Sequence, residues 1–135
     1  MSNTDKKIQK QMKRNARFLL DFLSSTHLEG IPTDYSKASL FLLDSLIFRL
    51  WGEAGPRLAL EKMVNIWGSY LGCVIRENYK SEWIDEGKKG LALRLKGKSE
   101  IVVYPFSMMY KRLVNGSLDS ITPKIEQIDA AYYGN

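Results

Sequence analysis

The chain holds one cysteine, Cys73, and one histidine, His27. A thiolate activated by an imidazole base would need these two distant residues to meet in space. Set between Gly72 and Val74 in an apolar stretch, Cys73 reads instead as a small buried hydrophobe. One thiol and one imidazole do not make a closed zinc site, and no Asp-x-Asp-x-Asp-Gly loop offers calcium ligands. No metal and no cofactor is expected.

Four acids, Glu77, Glu82, Asp85 and Glu86, gather around Trp83. Paired carboxylates perform acid–base catalysis. Here Arg76, Lys80, Lys88 and Lys89 lie among them, and ion pairs on a solvated turn account for the pattern. An enzyme using Glu77 or Glu82 is the weakest reading, and no residue is assigned as catalytic. The run Gly87-Lys88-Lys89-Gly90 invites comparison with a phosphate-binding loop. Such a loop leads into a helix and places Ser or Thr after its lysine. In this chain Gly90 follows Lys89 and a strand pattern comes next, so a hairpin turn is the better reading.

Cations make the strongest compositional signal. The net charge is +5, and residues 1–17 hold Lys6, Lys7, Lys10, Lys13, Arg14 and Arg17 against Asp5 alone. The rest of the chain balances, with 14 basic and 14 acidic residues. Six cations in that segment suit phosphates. Aromatic residues are absent from the segment until Phe18, and no recognition helix follows it. A solvated helix face is the plainer account.

These residues need elements to hold them. At 135 residues the chain has the length of one domain, spanning 1–135. Ile8, Met12, Ala16, Leu19, Leu20 and Leu23 recur at helical spacing, predicting a basic first helix over about 4–26 that stops near His27 to Gly30. A second helix follows Pro32, capped by Asp34 or Ser36 and closed by Gly52. A third opens at Pro56 and extends the helical body to about 79, with Trp67 on its buried face. Inside it, Gly68 and Gly72 each cost about 1 kcal/mol relative to alanine. Their spacing makes a smooth groove for close packing.

Beyond Tyr79 the period changes. Glu82-Trp83-Ile84, then alternating Leu91, Leu93 and Leu95, then Ile101 to Tyr104 predict three antiparallel strands over about 82–104. Helical segments over about 105–132 follow: one opened by Pro105 and stopped by Asn115-Gly116, and a weakly packed one opened by Thr122-Pro123. The class is α+β, with helices on a small three-stranded meander.

The run Gly68-x-Tyr70-x-Gly72-x-Val74-Ile75 and the strand opened by Trp83 resemble a group of small bacterial domains of unknown function. The resemblance continues through Pro105-Phe106 and Lys111-Arg112-x-x-Asn115-Gly116-x-x-Asp119-Ser120, covering about Asp44 to Ser120. It implies the fold and carries no activity. The group usually has glutamate directly after the second glycine, where this chain has Cys73. A role tied to that carboxylate does not transfer.

The lone thiol gives no sign of disulfides, which makes the cytoplasm the expected home. The start does not read as a signal peptide, because Asp21 interrupts the apolar run after Phe18-Leu19-Leu20. Asp44 and Arg49 break the most apolar stretch, so no membrane partner is expected. The leading expectation is a non-enzymatic module that binds another protein through Trp83, Arg94 and Lys96. By analogy of size and class it is of the immunity or antitoxin kind. The alternative is nucleic-acid binding through the first helix.

Overall fold

The computed structural model describes residues 3–25, 34–54 and 59–134. Five helices and one sheet appear in the order α1 (Asn3–Ser25), α2 (Lys37–Ala54), α3 (Leu60–Asn78), β1 (Ser81–Asp85), β2 (Leu91–Lys96), β3 (Glu100–Val103), α4 (Pro105–Asn115) and α5 (Ile121–Tyr133). The class is α+β.

Helix α3 lies between α1 and α4. Its two interior glycines serve different neighbours. A Cβ on Gly68 would stand 2.6 Å from Phe106 of α4, and one on Gly72 would collide with the Trp83 indole of β1. Helix α1 buries Met12, Ala16 and Leu19 against α3. Asp5 sits seven residues before Met12 on the same face and is fully buried too.

Ser36 caps α2, its Oγ accepting the Ser39 N–H (3.1 Å), while Asp34 accepts from Ser36 N–H and Oγ. Gly52 does not end this helix, which runs on to Ala54. A glycine inside a helix costs about 1 kcal/mol, and one such cost does not stop a helix held by packing. The predicted stop of α1 near His27 to Gly30 and the opening of the third helix at Pro56 lie outside the described residues.

The sheet order is β1-β2-β3, antiparallel throughout, with Trp83 opposite Leu93 and Leu93 opposite Val103. Lys96 N–H donates to the Lys80 carbonyl (2.8 Å). Alternation along β2 then aims the amides of Ala92, Arg94 and Lys96 at β1 and those of Leu91, Leu93 and Leu95 at β3. The same alternation turns the Trp83 N–H out of the sheet on one edge. On the other edge it turns out the Val102 N–H and C=O.

Side chains alternate less cleanly than expected, because Ala92 is fully buried although it faces away from Leu93 and Leu95. Between β1 and β2, Gly87 (φ 64°) and Gly90 (φ 85°) adopt the positive φ that glycine tolerates.

Helix α5 is packed, which corrects the expectation of a loose C-terminal segment. Ile121, Ile125 and Ile128 are buried, and Asp129 binds both Tyr79 Oη and Lys37 Nζ. Its N-terminus is capped from another helix, with Asp44 Oδ2 of α2 accepting the Thr122 N–H (3.0 Å). The Asp44 carboxylate also receives Arg112 Nε (2.7 Å) and Ser120 Oγ (2.6 Å). Burial pushes the Asp44 carboxyl up, but the hydrogen bonds from Ser120, Arg112 and Thr122 outweigh it and hold the group below the usual carboxylate range. Nearby, Asn115 Nδ2 donates to Asp119 Oδ2 (2.7 Å), and Gly116 turns at φ 70°. The Arg112 to Ser120 segment thus joins α2, α4 and α5.

Candidate functional site

Helix α1 turns two contrasting faces to its surroundings. At 100° per residue, Lys6, Lys7, Lys10, Lys13, Arg14 and Arg17 fall within an arc of about 120°, and Lys6 to Arg17 span about 17 Å. That arc lies opposite the stripe of Asp5, Met12, Ala16 and Leu19. All six cations are exposed. Lys10, Lys13, Arg14 and Arg17 line a shallow depression of about 350 Å³.

Among the described residues only Lys13 of the six forms a salt bridge, to Glu77 (3.0 Å), with both side chains half exposed. Such pairs contribute about 0–1 kcal/mol and restrain a lysine weakly. The Glu77 hydrogen bond shifts the Lys13 ammonium upward. Its Nζ also lies 5.8 Å from the centre of the Tyr35 ring. One turn past Arg14, Phe18 is 59% exposed and extends the cationic arc with an aromatic face.

Trp83 does not form a partner-facing surface. It is 1% exposed, its ring packs over Gly72, and its Nε1 donates to Gln9 Oε1 (2.8 Å). The pleat explains the correction: Trp83 shares a sheet face with Leu93 and Ser81, all three buried. Arg94 and Lys96 stand on the opposite face, half exposed, and both pair with Glu82 (3.3 Å each). Trp67 is buried on α3 beside Gly68.

Three of the four acids near Trp83 are engaged separately. Glu77 holds Lys13, Glu82 holds Arg94 and Lys96, and Asp85 accepts the Gly87 N–H (2.9 Å). The turn amides of Gly87, Lys89 and Gly90 all donate within the turn itself, leaving no cradle for a phosphate. Burial pushes the Cys73 thiol up to about 12, with Lys13 lowering it less, so the thiolate is disfavoured at neutral pH. His27 lies outside the described residues. Among the described residues no group of three or more His, Cys, Asp or Glu could hold a metal ion, and no helix is long and apolar enough to cross a membrane.

Sequence reasoning missed Asp5. Its Oδ1 accepts the Trp83 N–H (2.7 Å), and its Oδ2 pairs with Arg76 Nη2 (2.9 Å). The available signal was position, because Asp5 falls on the apolar stripe of its own helix. Comparison with known proteins found no matching family model, no similar curated protein and no similar solved structure.

Proposed function

We propose that this protein is a non-enzymatic interaction module that binds unpaired nucleic acid through the outer face of α1. One observation carries the reading: six exposed cations share one arc, with the exposed Phe18 ring at its end. The cations suit successive phosphates, and an aromatic face suits a base of any type. Asn15, a residue able to read bases, is turned inward instead, its Nδ2 donating to Ser69 Oγ (3.2 Å). The expected recognition is therefore insensitive to sequence.

Fluorescence anisotropy with a labelled single-stranded oligonucleotide, repeated from low to physiological salt, tests this directly. Each phosphate contact to a single strand adds about 0.7 to the salt slope, so replacing Lys6, Lys7, Lys10 and Arg14 with glutamine should flatten it by about three units. Phe18→Ala should weaken single-strand binding by about 1–3 kcal/mol and leave duplex binding unchanged. Absence of binding by the parent at low salt overturns the reading.

A further inference from the structure

The sheet has two edges that differ. At the β1 edge the outward Trp83 N–H is taken up by Asp5 of α1. At the β3 edge, among the described residues, no hydrogen bond reaches the outward N–H or C=O of Val102, and the residue is 37% exposed. Beside that edge runs a groove of about 410 Å³, lined by Val102 and Tyr104, by Met108 and Lys111 of α4, and by Lys124 and Ile128 of α5. Its far wall is fixed at both ends. Thr122 N–H is held by Asp44, and Lys98 N–H donates to the Tyr132 carbonyl (2.8 Å).

We propose that the β3 edge is a peptide-docking site, at which an extended acidic segment of a partner protein adds to the sheet as a fourth strand. Three features select that occupant. An open strand edge recognises backbone in extended form through main-chain hydrogen bonds. The apolar lining from Met108 and Ile128 accepts alternate side chains of such a strand. The charge is one-sided, since two lysines and no acidic residue line the groove. Lys124 is already paired with Asp119 (3.1 Å), whereas the exposed Lys111 forms no salt bridge among the described residues and is placed to meet a carboxylate. This inference does not depend on the nucleic-acid reading, because α1 lies along the other edge of the sheet.

The probe is a fluorescein-labelled hexapeptide of alternating threonine and valine ending in two glutamates, titrated with the full chain. Saturable binding is expected with a Kd below ~1 mM. Val102→Pro removes the outward donor without touching the ladder, since proline is tolerated where the N–H faces away from the sheet. It should weaken binding at least ~tenfold while circular dichroism stays unchanged. Methylating the amides along one edge of the peptide should cost as much. Lys111→Glu should weaken binding at least ~fivefold, and Lys111→Arg should retain it.

Four results overturn the proposal. They are no saturable binding below ~1 mM, binding indifferent to both Val102→Pro and amide methylation, binding lost on neutralising Lys6, Lys7, Lys10 and Arg14, and a concentration-dependent dimer abolished by Val102→Pro. The last result would make a second copy of this chain the occupant.

Discussion

The β1 and β3 edges belong to one small sheet, yet they meet their surroundings by opposite means. The β1 edge lies under α1, where a buried carboxylate fixed by Arg76 accepts the free amide of Trp83. The β3 edge opens onto a groove walled by α5. Covering an edge with a helix leaves outward amides without water, so the covering element must bring an acceptor to meet them. Asp5 is that acceptor. Leaving an edge open needs no such partner, but it exposes a template for another chain. One edge of the sheet is therefore closed by a buried ion pair, and the other keeps its outward backbone groups unbonded among the described residues.

The largest effect should come from breaking the covered edge. Asp5→Ala removes the acceptor of the Trp83 N–H and the carboxylate that pairs with Arg76. Losing one partner of a buried pair costs about 3–5 kcal/mol, and the partial exposure of Arg76 lowers the expectation to about 2–4 kcal/mol. Urea denaturation with an unchanged m-value measures this. A loss below ~1 kcal/mol would mean that apolar packing alone holds α1 in place.

Next in size is Gly72→Leu, where overpacking against the Trp83 indole costs about 1–3 kcal/mol, opposed by nearly ~1 kcal/mol of helix propensity. Gly68→Leu should cost a comparable amount, because its added Cβ would meet the Phe106 Cα (3.2 Å) as well as the half-buried ring. If Gly68→Leu proves the worse of the two, the α3–α4 contact rather than the Trp83 edge is the tighter one.

A thiol reagent supplies a kinetic readout of the same side. Cys73 is fully buried, and labelling in native buffer should be at least ~100-fold slower than in denaturant. Asp5→Ala should speed native labelling if the α1 side opens as a unit. The smallest effect belongs to the open edge, where Val102→Pro should alter stability by less than about 1 kcal/mol. Comparable losses from Val102→Pro and Asp5→Ala would erase the distinction between the edges.

The elements that carry this contrast, though not the contrast itself, are legible in the sequence. The change of period after Tyr79 marked the strands, and alternation through Leu91, Leu93 and Leu95 set the meander. The cationic face of α1 followed from spacing alone. What stayed hidden were carboxylates whose partners lie far along the chain. Asp44 read as an interruption of an apolar run, yet it receives Arg112, Ser120 and Thr122. Without those contacts α5 looked loosely packed. Trp83 misled for a different reason. A large aromatic among charges suggests a recognition surface, and only its register with Leu93 shows that it turns inward.

The bond from Asp5 to Trp83 joins residues 78 positions apart, and this orders events on the ribosome. At about 5–20 residues per second, α1 is synthesised roughly 4–16 s before the strand it will cover. Until α3 follows, its apolar stripe and its carboxylate lack the neighbours they have in the folded chain. The six cations on the opposite face give the waiting helix a strong positive charge, which opposes premature association between nascent chains. The outer face of α1 would thus act first as a solubilising guard during synthesis, before the finished molecule meets any ligand.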